Sequence, residues 1–210
     1  MSYQEAEKVK QGKKSASFYQ ETLKESAEFR KTYSKRKGII KAAEMPWEES
    51  PQGHIKHVVN QKMNTRECAL DMYQQVLDPG GCSGKHRHLA EEVFFVLEGK
   101  GYDLHWDVKF ELTDKYNWDW EKEPKRYEWE EGDFVYIPPY TTHQHFNADP
   151  DKPARFITAT SRMLKPLGLD WIEQVEAAPD FKAKVQAAKA KVAKTKPSAN
   201  AKNKKSVRRK

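Results

Sequence analysis

The chain has 210 residues, of which 37% are hydrophobic and 33% charged, with a formal net charge of +7 and two cysteines. That length accommodates one core with extensions and leaves little room for a second, and two cysteines are too few for a disulfide framework. Twelve of the 38 basic residues follow Asp180 with no acidic residue among them, leaving 26 basic against 31 acidic side chains in 1–181, so the overall charge assigns the domain no polyanionic partner. Cys68 and Cys82 fit a reducing compartment. The N-terminus lacks an apolar signal core, and no run approaches the ~20 apolar residues that span a bilayer. A soluble, cytoplasmic protein without membrane contact is expected.

Residues 1–45 read as a polar, Lys-rich segment followed by an amphipathic helix. The first 16 residues carry too little apolar surface to order themselves. From Ser17 to about Ala43, Phe18, Leu23, Ala27, Phe29 and Tyr33 recur at helical spacing, with a break near Gly38, and such a helix packs on its own domain or on a partner subunit. MPWEESPQG (45–53) reads as a linker into the core. Strand signals follow at 54–60, 68–77, the histidine strand around His86 and His88, 92–99 and 101–108, with a turn at DPGG (78–81) and with Tyr102, Leu104, Trp106 and Val108 alternating with mostly polar residues. The segment 109–130 breaks the pattern with Tyr116, Trp118, Trp120, Tyr127 and Trp129 among charges, and reads as an aromatic insertion, a long loop or extended hairpin. Strands resume at FVYIPP, HQHFN and ARFITATS (154–161), closing a core over 46–165. LGLDWIEQVEAAPDF places a C-terminal helix at 166–181 with Asp170 as N-cap, interrupted at Pro179. The basic Ala/Lys-rich tail at 182–210 is expected to be disordered or nascent helix; it has no aromatic residue for base stacking and matches no specific nucleic-acid module.

Two stretches carry the chemistry. In the first, Gly80 is followed after five residues by His86, after one more by His88, after three by Glu92 and after six by Gly99. On a strand, His86 and His88 project from the same face. In the second, Gly132 is followed after five residues by Pro138, after four by His143 and after three by Asn147. Both spacings resemble the two signature motifs of the cupin superfamily, with one departure: the glycine usual two places after the proline is Tyr140 here. The resemblance implies an all-β fold, a cupin double-stranded β-helix or jelly-roll barrel, here with an N-terminal helix, a C-terminal helix and a basic tail. It also implies metal ligation by His86, His88, Glu92 and His143.

Three neutral imidazoles and a carboxylate suit Fe(II), Mn, Ni, Co, Cu or Zn, and leave two positions of an octahedral ion for substrate, water or dioxygen. The aromatic Tyr140 and the His143-x-His145 pair resemble the gentisate and salicylate ring-cleaving dioxygenases. Those enzymes have two cupin domains and a histidine triad, whereas this chain has one and keeps Glu92. The leading expectation is therefore a mononuclear non-haem Fe(II) dioxygenase acting on a small hydroxylated aromatic or organic acid, with Tyr140, Gln144 and His145 as pocket candidates. The alternatives are a metal-bearing small-molecule binding or sensor cupin, and a non-redox isomerase or lyase. Since superfamily members are often dimers, the resemblance also implies a homodimer to which the N-terminal helix contributes.

Overall fold

The computed structural model describes residue 4 and residues 16–66, 69–169 and 171–195. The expectations for residues 1–3 and 5–15, Cys68, the Asp170 cap and the tail at 196–210 lie outside the described residues.

Thirteen strands among the described residues form two antiparallel sheets and a ribbon. The six-stranded sheet has the order β1 (Trp47–Ser50), β2 (Gly53–Val59), β3 (Leu70–Leu77), β12 (Ala154–Ser161), β5 (Glu92–Glu98), β10 (Phe134–Ile137). The five-stranded sheet has the order β13 (Ile172–Glu176), β4 (Lys85–His88), β11 (Thr142–Asn147), β6 (Lys100–Trp106), β9 (Lys125–Glu130). The order follows the jelly-roll logic in which chain-distant strands become neighbours, which suppresses free edges. The all-β expectation with flanking helices therefore holds.

The two inward faces differ in chemistry. Phe94, Val96, Ile137, Leu77, Ala154 and Phe156 come from the six-stranded sheet and pack with Trp129 into the buried apolar cluster. The five-stranded sheet instead turns His86, His88, Asp103, His105, His143, His145 and Asn147 inward, all buried. On β6 the alternation identifies the strand, but Gly101, Asp103 and His105 face the core while Tyr102, Leu104 and Trp106 are half-buried on the outer face. That face is shielded by stacking: Tyr102 lies 4.8 Å from Phe146 with the rings nearly parallel, Arg126 sits 3.4 Å over Tyr102, and Lys85 sits 3.5 Å over Trp106.

Gly101 is required by close approach. A Cβ there would lie 2.0 Å from the Phe146 carbonyl oxygen and 2.4 Å from the Trp129 ring, both fixed in the core. Gly101→Ala is expected to cost about 3 kcal/mol or more, read as a lowered urea midpoint.

Several expected elements are corrected. The 45–53 linker contains β1, which pairs with β2 as a hairpin (Trp47↔Lys56, Ser50↔Gly53). The insertion at 109–130 divides into a ribbon of β7 (Val108–Leu112) and β8 (Tyr116–Trp120), followed by β9, which belongs to the barrel through its pairing with β6. The helix expected at 166–181 is not there: residues 172–176 form β13 along the edge of β4, where Arg87 donates to Glu173 at 2.7 and 2.9 Å. Pairing with that edge overrides helical preference. The C-terminal helix, α2 (Pro179–Thr195), begins at the proline expected to interrupt it, because a first helical residue has no intrahelical use for an N–H. It also takes up residues 182–195 of the segment expected as tail. The N-terminal helix, α1 (Phe18–Tyr33), exists, but none of its residues is buried, so it does not pack on its own barrel.

Candidate metal centre

The centre is assembled across the gap between the sheets. His86 and His88 alternate inward from β4, and His143 on β11 pairs in register with His86. Glu92 reaches in from β5 on the opposite sheet, at the polar end of the inward series Glu92, Phe94, Val96. All four side chains are buried, and one ligand atom from each lies within 4.8 Å of the others. His88 Nε2 is 2.9 Å and His143 Nε2 3.8 Å from Glu92 Oε2, and the His86 and His143 ring centroids are 4.1 Å apart.

Backbone carbonyls set the imidazole tautomers. Nδ1 of His86 lies 3.3 Å from the Gly84 carbonyl, Nδ1 of His88 2.6 Å from that of Ala90, and Nδ1 of His143 3.0 Å from that of Thr141. A carbonyl only accepts, so each Nδ1 is the donor, and each Nε2 of a neutral ring turns its lone pair to the centre. The Nε2 atoms of His86 and His143 have no hydrogen-bond partner among the described residues despite complete burial, an arrangement costly without an acceptor for the lone pair. Burial first, and neighbouring imidazoles second, push both rings well below the usual histidine range and keep them neutral. At His88 burial acts in the same sense, but the hydrogen bond and charge of Glu92 outweigh it and raise the pKa. For Glu92, burial would raise the carboxyl; the hydrogen bond and charge of His88 lower it to about 2. Thr158 Oγ1 donates to Glu92 Oε1 and fixes that carboxylate. His86 and His143 are neutral with inward lone pairs, and His88 joins them on giving up the proton it donates to the ionised Glu92, which is what a divalent transition metal requires, so the donor set fits one.

A cavity of about 170 Å³ opens from this cluster. His86, His88 and Glu92 form its floor, Gln52, Asp71 and Tyr73 one polar wall, and Arg162 and Lys165 a cationic one, with Leu164, Leu169, Trp171 and Ile172 as apolar lining. The Tyr73 hydroxyl donates to Gln52 Oε1 at 3.0 Å, and burial, with Glu92 beside it, raises its pKa well above the usual tyrosine value.

The three pocket candidates lie elsewhere. Gln144 turns away from the centre, and its amide donates to the Ser83 carbonyl at 2.8 Å. His145 is buried one layer behind the cluster, with Nδ1 3.0 Å from both oxygens of Asp103, a carboxylate that also accepts from Trp129 Nε1 at 2.9 Å. Tyr140, at the position of the missing glycine, has φ of 63°. Its carbonyl accepts from Trp120 Nε1 at 2.8 Å, and its ring packs against Trp118 and against Trp171, which does line the cavity. The aromatic ribbon is thereby tied to the cavity mouth, and Arg87 stacks 3.5 Å over Trp120. Tyr73, Thr158 and Arg162 were not singled out by the motifs. The signal for Tyr73 and Thr158 was strand parity on β3 and β12, readable only once those strands are known to flank the site, and Arg162 follows β12 directly.

A jelly-roll barrel holding three histidines and a glutamate across its two sheets defines a metal-binding β-barrel protein. A model of the cupin family matches residues 46–165, more than half of the sequence, and the chain belongs to that family. Among solved structures it is similar to a cupin-like protein from Thermotoga maritima, with 20% identity over 62% of this chain and 87% of that one and a TM-score of 0.42. It is also similar to an oxalate decarboxylase from Bacillus subtilis, with 17% identity over 65% of this chain but only 31% of that longer one and a TM-score of 0.46. At these identities the likeness is one of fold. A search of curated proteins found no match. No helix among the described residues is long and apolar enough to cross a membrane.

Proposed function

We propose that this cupin is a mononuclear non-haem Fe(II) dioxygenase acting on a small hydroxylated aromatic or organic acid. The observation that carries the reading is the cavity, which joins the ligand cluster to the Arg162 and Lys165 side chains in a space suited to a small acid. Fe(II) held by His86, His88, Glu92 and His143 would supply redox chemistry and Lewis acidity that no amino-acid side chain provides.

The remaining work belongs to the chain. Arg162 is 11% exposed and lies 3.8 Å from Asp71, so its guanidinium is held at the wall and presents a fixed positive charge to a carboxylate. Tyr73, kept protonated and donating to Gln52, holds a neutral polar group in the cavity wall beside Glu92. Thr158 keeps the Glu92 carboxylate in one orientation. Leu164, Leu169, Trp171 and Ile172 exclude water from the bound substrate.

Purification under anaerobic conditions, reconstitution with Fe(II), and an oxygen electrode with a panel of hydroxybenzoates and small keto and hydroxy acids tests the reading. Oxygen uptake with at least one acid is expected. Uptake with none would overturn it, and turnover with Zn alone would place the chemistry among non-redox isomerases and lyases. With an active substrate, Arg162→Gln is expected to raise KM by roughly 10- to 100-fold while kcat changes less, the pattern of lost ground-state binding.

A further inference from the structure

The ribbon of β7 and β8 leaves the barrel directly after β6 and closes on itself at its base, where the Glu121 N–H donates to the Asp107 carbonyl at 2.8 Å. That base lies against residues 138–141, the segment that carries the chain from β10 into β11 and so into His143.

Residues 140 and 141 are bonded on both sides. Toward the metal centre, the Tyr140 N–H donates to the His88 carbonyl at 2.9 Å, and the Thr141 carbonyl accepts from His143 Nδ1 at 3.0 Å. Toward the ribbon, the Tyr140 carbonyl accepts from Trp120 Nε1 at 2.8 Å, and Thr141 Oγ1 donates to Asp107 Oδ1 at 3.1 Å. Each residue therefore has a ligand histidine on one side and the ribbon base on the other. The two ribbon-base side chains are themselves held. Asp107 Oδ2 accepts from Lys125 Nζ at 2.8 Å, and Arg87 lies 3.5 Å over the Trp120 ring. Arg87 sits between His86 and His88 on β4, so the ribbon meets the ligand strand by a second route. Tyr140 keeps its left-handed backbone, φ 63°, in the middle of these contacts; a tyrosine persists in that region where its surroundings impose it.

We infer that Trp120 and Asp107 are positioning residues for the metal centre, acting through the Tyr140 carbonyl and the Thr141 hydroxyl to fix the segment that orients His88 and His143. The inference rests on the assignment of the four ligands and is independent of the dioxygenase reading. Neither side chain reaches a ligand atom. An imidazole ligand is aimed by whatever its other nitrogen bonds, and that partner is only as fixed as its own contacts. With the Trp120 and Asp107 bonds gone, the two peptide units gain freedom to turn, the Thr141 carbonyl no longer holds His143 in one direction, and the tie to the His88 carbonyl slackens. The barrel keeps its strands, while the bound ion loses a rigid cage and leaves faster.

Co(II) loaded into the full chain without oxygen tests this, since its visible bands respond to ligand geometry and its transfer to an excess of chelator gives a release rate. Trp120→Phe keeps a ring under Arg87 but has no N–H, and Thr141→Val keeps the shape of the side chain without its hydroxyl. Each is expected to release Co(II) ~10-fold faster or more, with shifted visible bands and an unchanged circular dichroism spectrum. Asp107→Ala is expected to do the same, and Asp107→Asn, whose amide oxygen still accepts from Thr141, to restore the wild-type rate, a rescue that a charge effect on the ion would not show. Phe110→Ala, at an exposed position on the ribbon, is expected to leave rate and bands unchanged. Wild-type rates and bands in both Trp120→Phe and Thr141→Val would overturn the inference, as would faster release from Phe110→Ala, which would make the effect one of the whole ribbon. A wild type that takes up no Co(II) would overturn the ligand assignment itself, and this inference would fall with it.

Discussion

His143→Ala is expected to abolish stoichiometric binding of a divalent transition metal while the barrel stays folded. Elemental analysis of protein reconstituted with Fe(II) should fall from one equivalent to near zero, with the β-rich circular dichroism spectrum retained. His143 Nε2 is fully buried and without a partner among the described residues, so the wild type pays for burying a lone pair that a metal would use. The truncation removes that orphan along with the ring, so the apo barrel loses packing but little else. Metal uptake in the wild type should weaken as pH falls, because the ligand imidazoles must be neutral and His88, raised by Glu92, must give up its proton. His86→Ala should behave the same way, since the two rings face each other from paired strands. Undiminished metal in both variants would remove the basis for the ligand assignment.

The second large effect is on stability. Asp103→Ala is expected to destabilise the protein by about 3–5 kcal/mol, measured by urea denaturation near neutral pH, because it leaves buried donors without their acceptor. The Asp103 carboxylate has no exposure and serves His145 Nδ1, Trp129 Nε1 and, at 3.4 Å, His105 Nε2. Burial opposes its ionisation, but the charge of His145 and these hydrogen bonds hold its pKa below the ordinary aspartate range. The contribution of a depressed carboxyl is complete above the unfolded value near 3.9 and is lost as pH falls through the folded value. His145 runs the other way: burial lowers it, Asp103 raises it, and the net rise gives stability that is present below about 6.5 and lost as pH climbs through the folded value. The wild type should therefore lose stability on acidification below about pH 4 more steeply than Asp103→Ala does. Equal acid slopes would show that this carboxylate is not ionised in the fold.

The ligand set was legible because its geometry is local. His86 and His88 share a face by strand parity, and the spacing to Glu92 is the length of one turn between two strands. His143 required the second motif, but its pairing with His86 follows from the same barrel. The polar interior was less legible. Alternation on β6 marks Tyr102, Leu104 and Trp106 as the apolar set, and burial rules point such a set inward, yet Asp103 and His105 occupy the core as part of a hydrogen-bonded network. What pays for this inversion is the stacking of Arg126 on Tyr102 and Lys85 on Trp106 outside.

The C-terminal region is not legible locally for a different reason. Residues 172–176 have helical composition, but β4 is four residues long with an open edge, and Ile172↔His88 through Glu176↔Lys85 close it. That choice depends on a partner more than eighty residues away, which no local window contains. The cavity walls share the difficulty. Tyr73 on β3 and the 162–171 segment that carries Arg162 and Trp171 come from distant parts of the chain and meet only when the barrel is built. Tyr140 is the instructive exception: its place in the motif marked it as unusual, and the structure gives it a left-handed backbone and a ring that braces Trp171 at the mouth.

X-ray absorption on the Fe(II)-loaded full chain, prepared without oxygen, tests the metal centre most directly. The coordination shell is expected to contain only nitrogen and oxygen, with multiple scattering from three imidazoles and one carboxylate in the fit. A sulfur scatterer, which would bring in Cys82, or a shell with fewer than two imidazoles would contradict the assignment of His86, His88, Glu92 and His143.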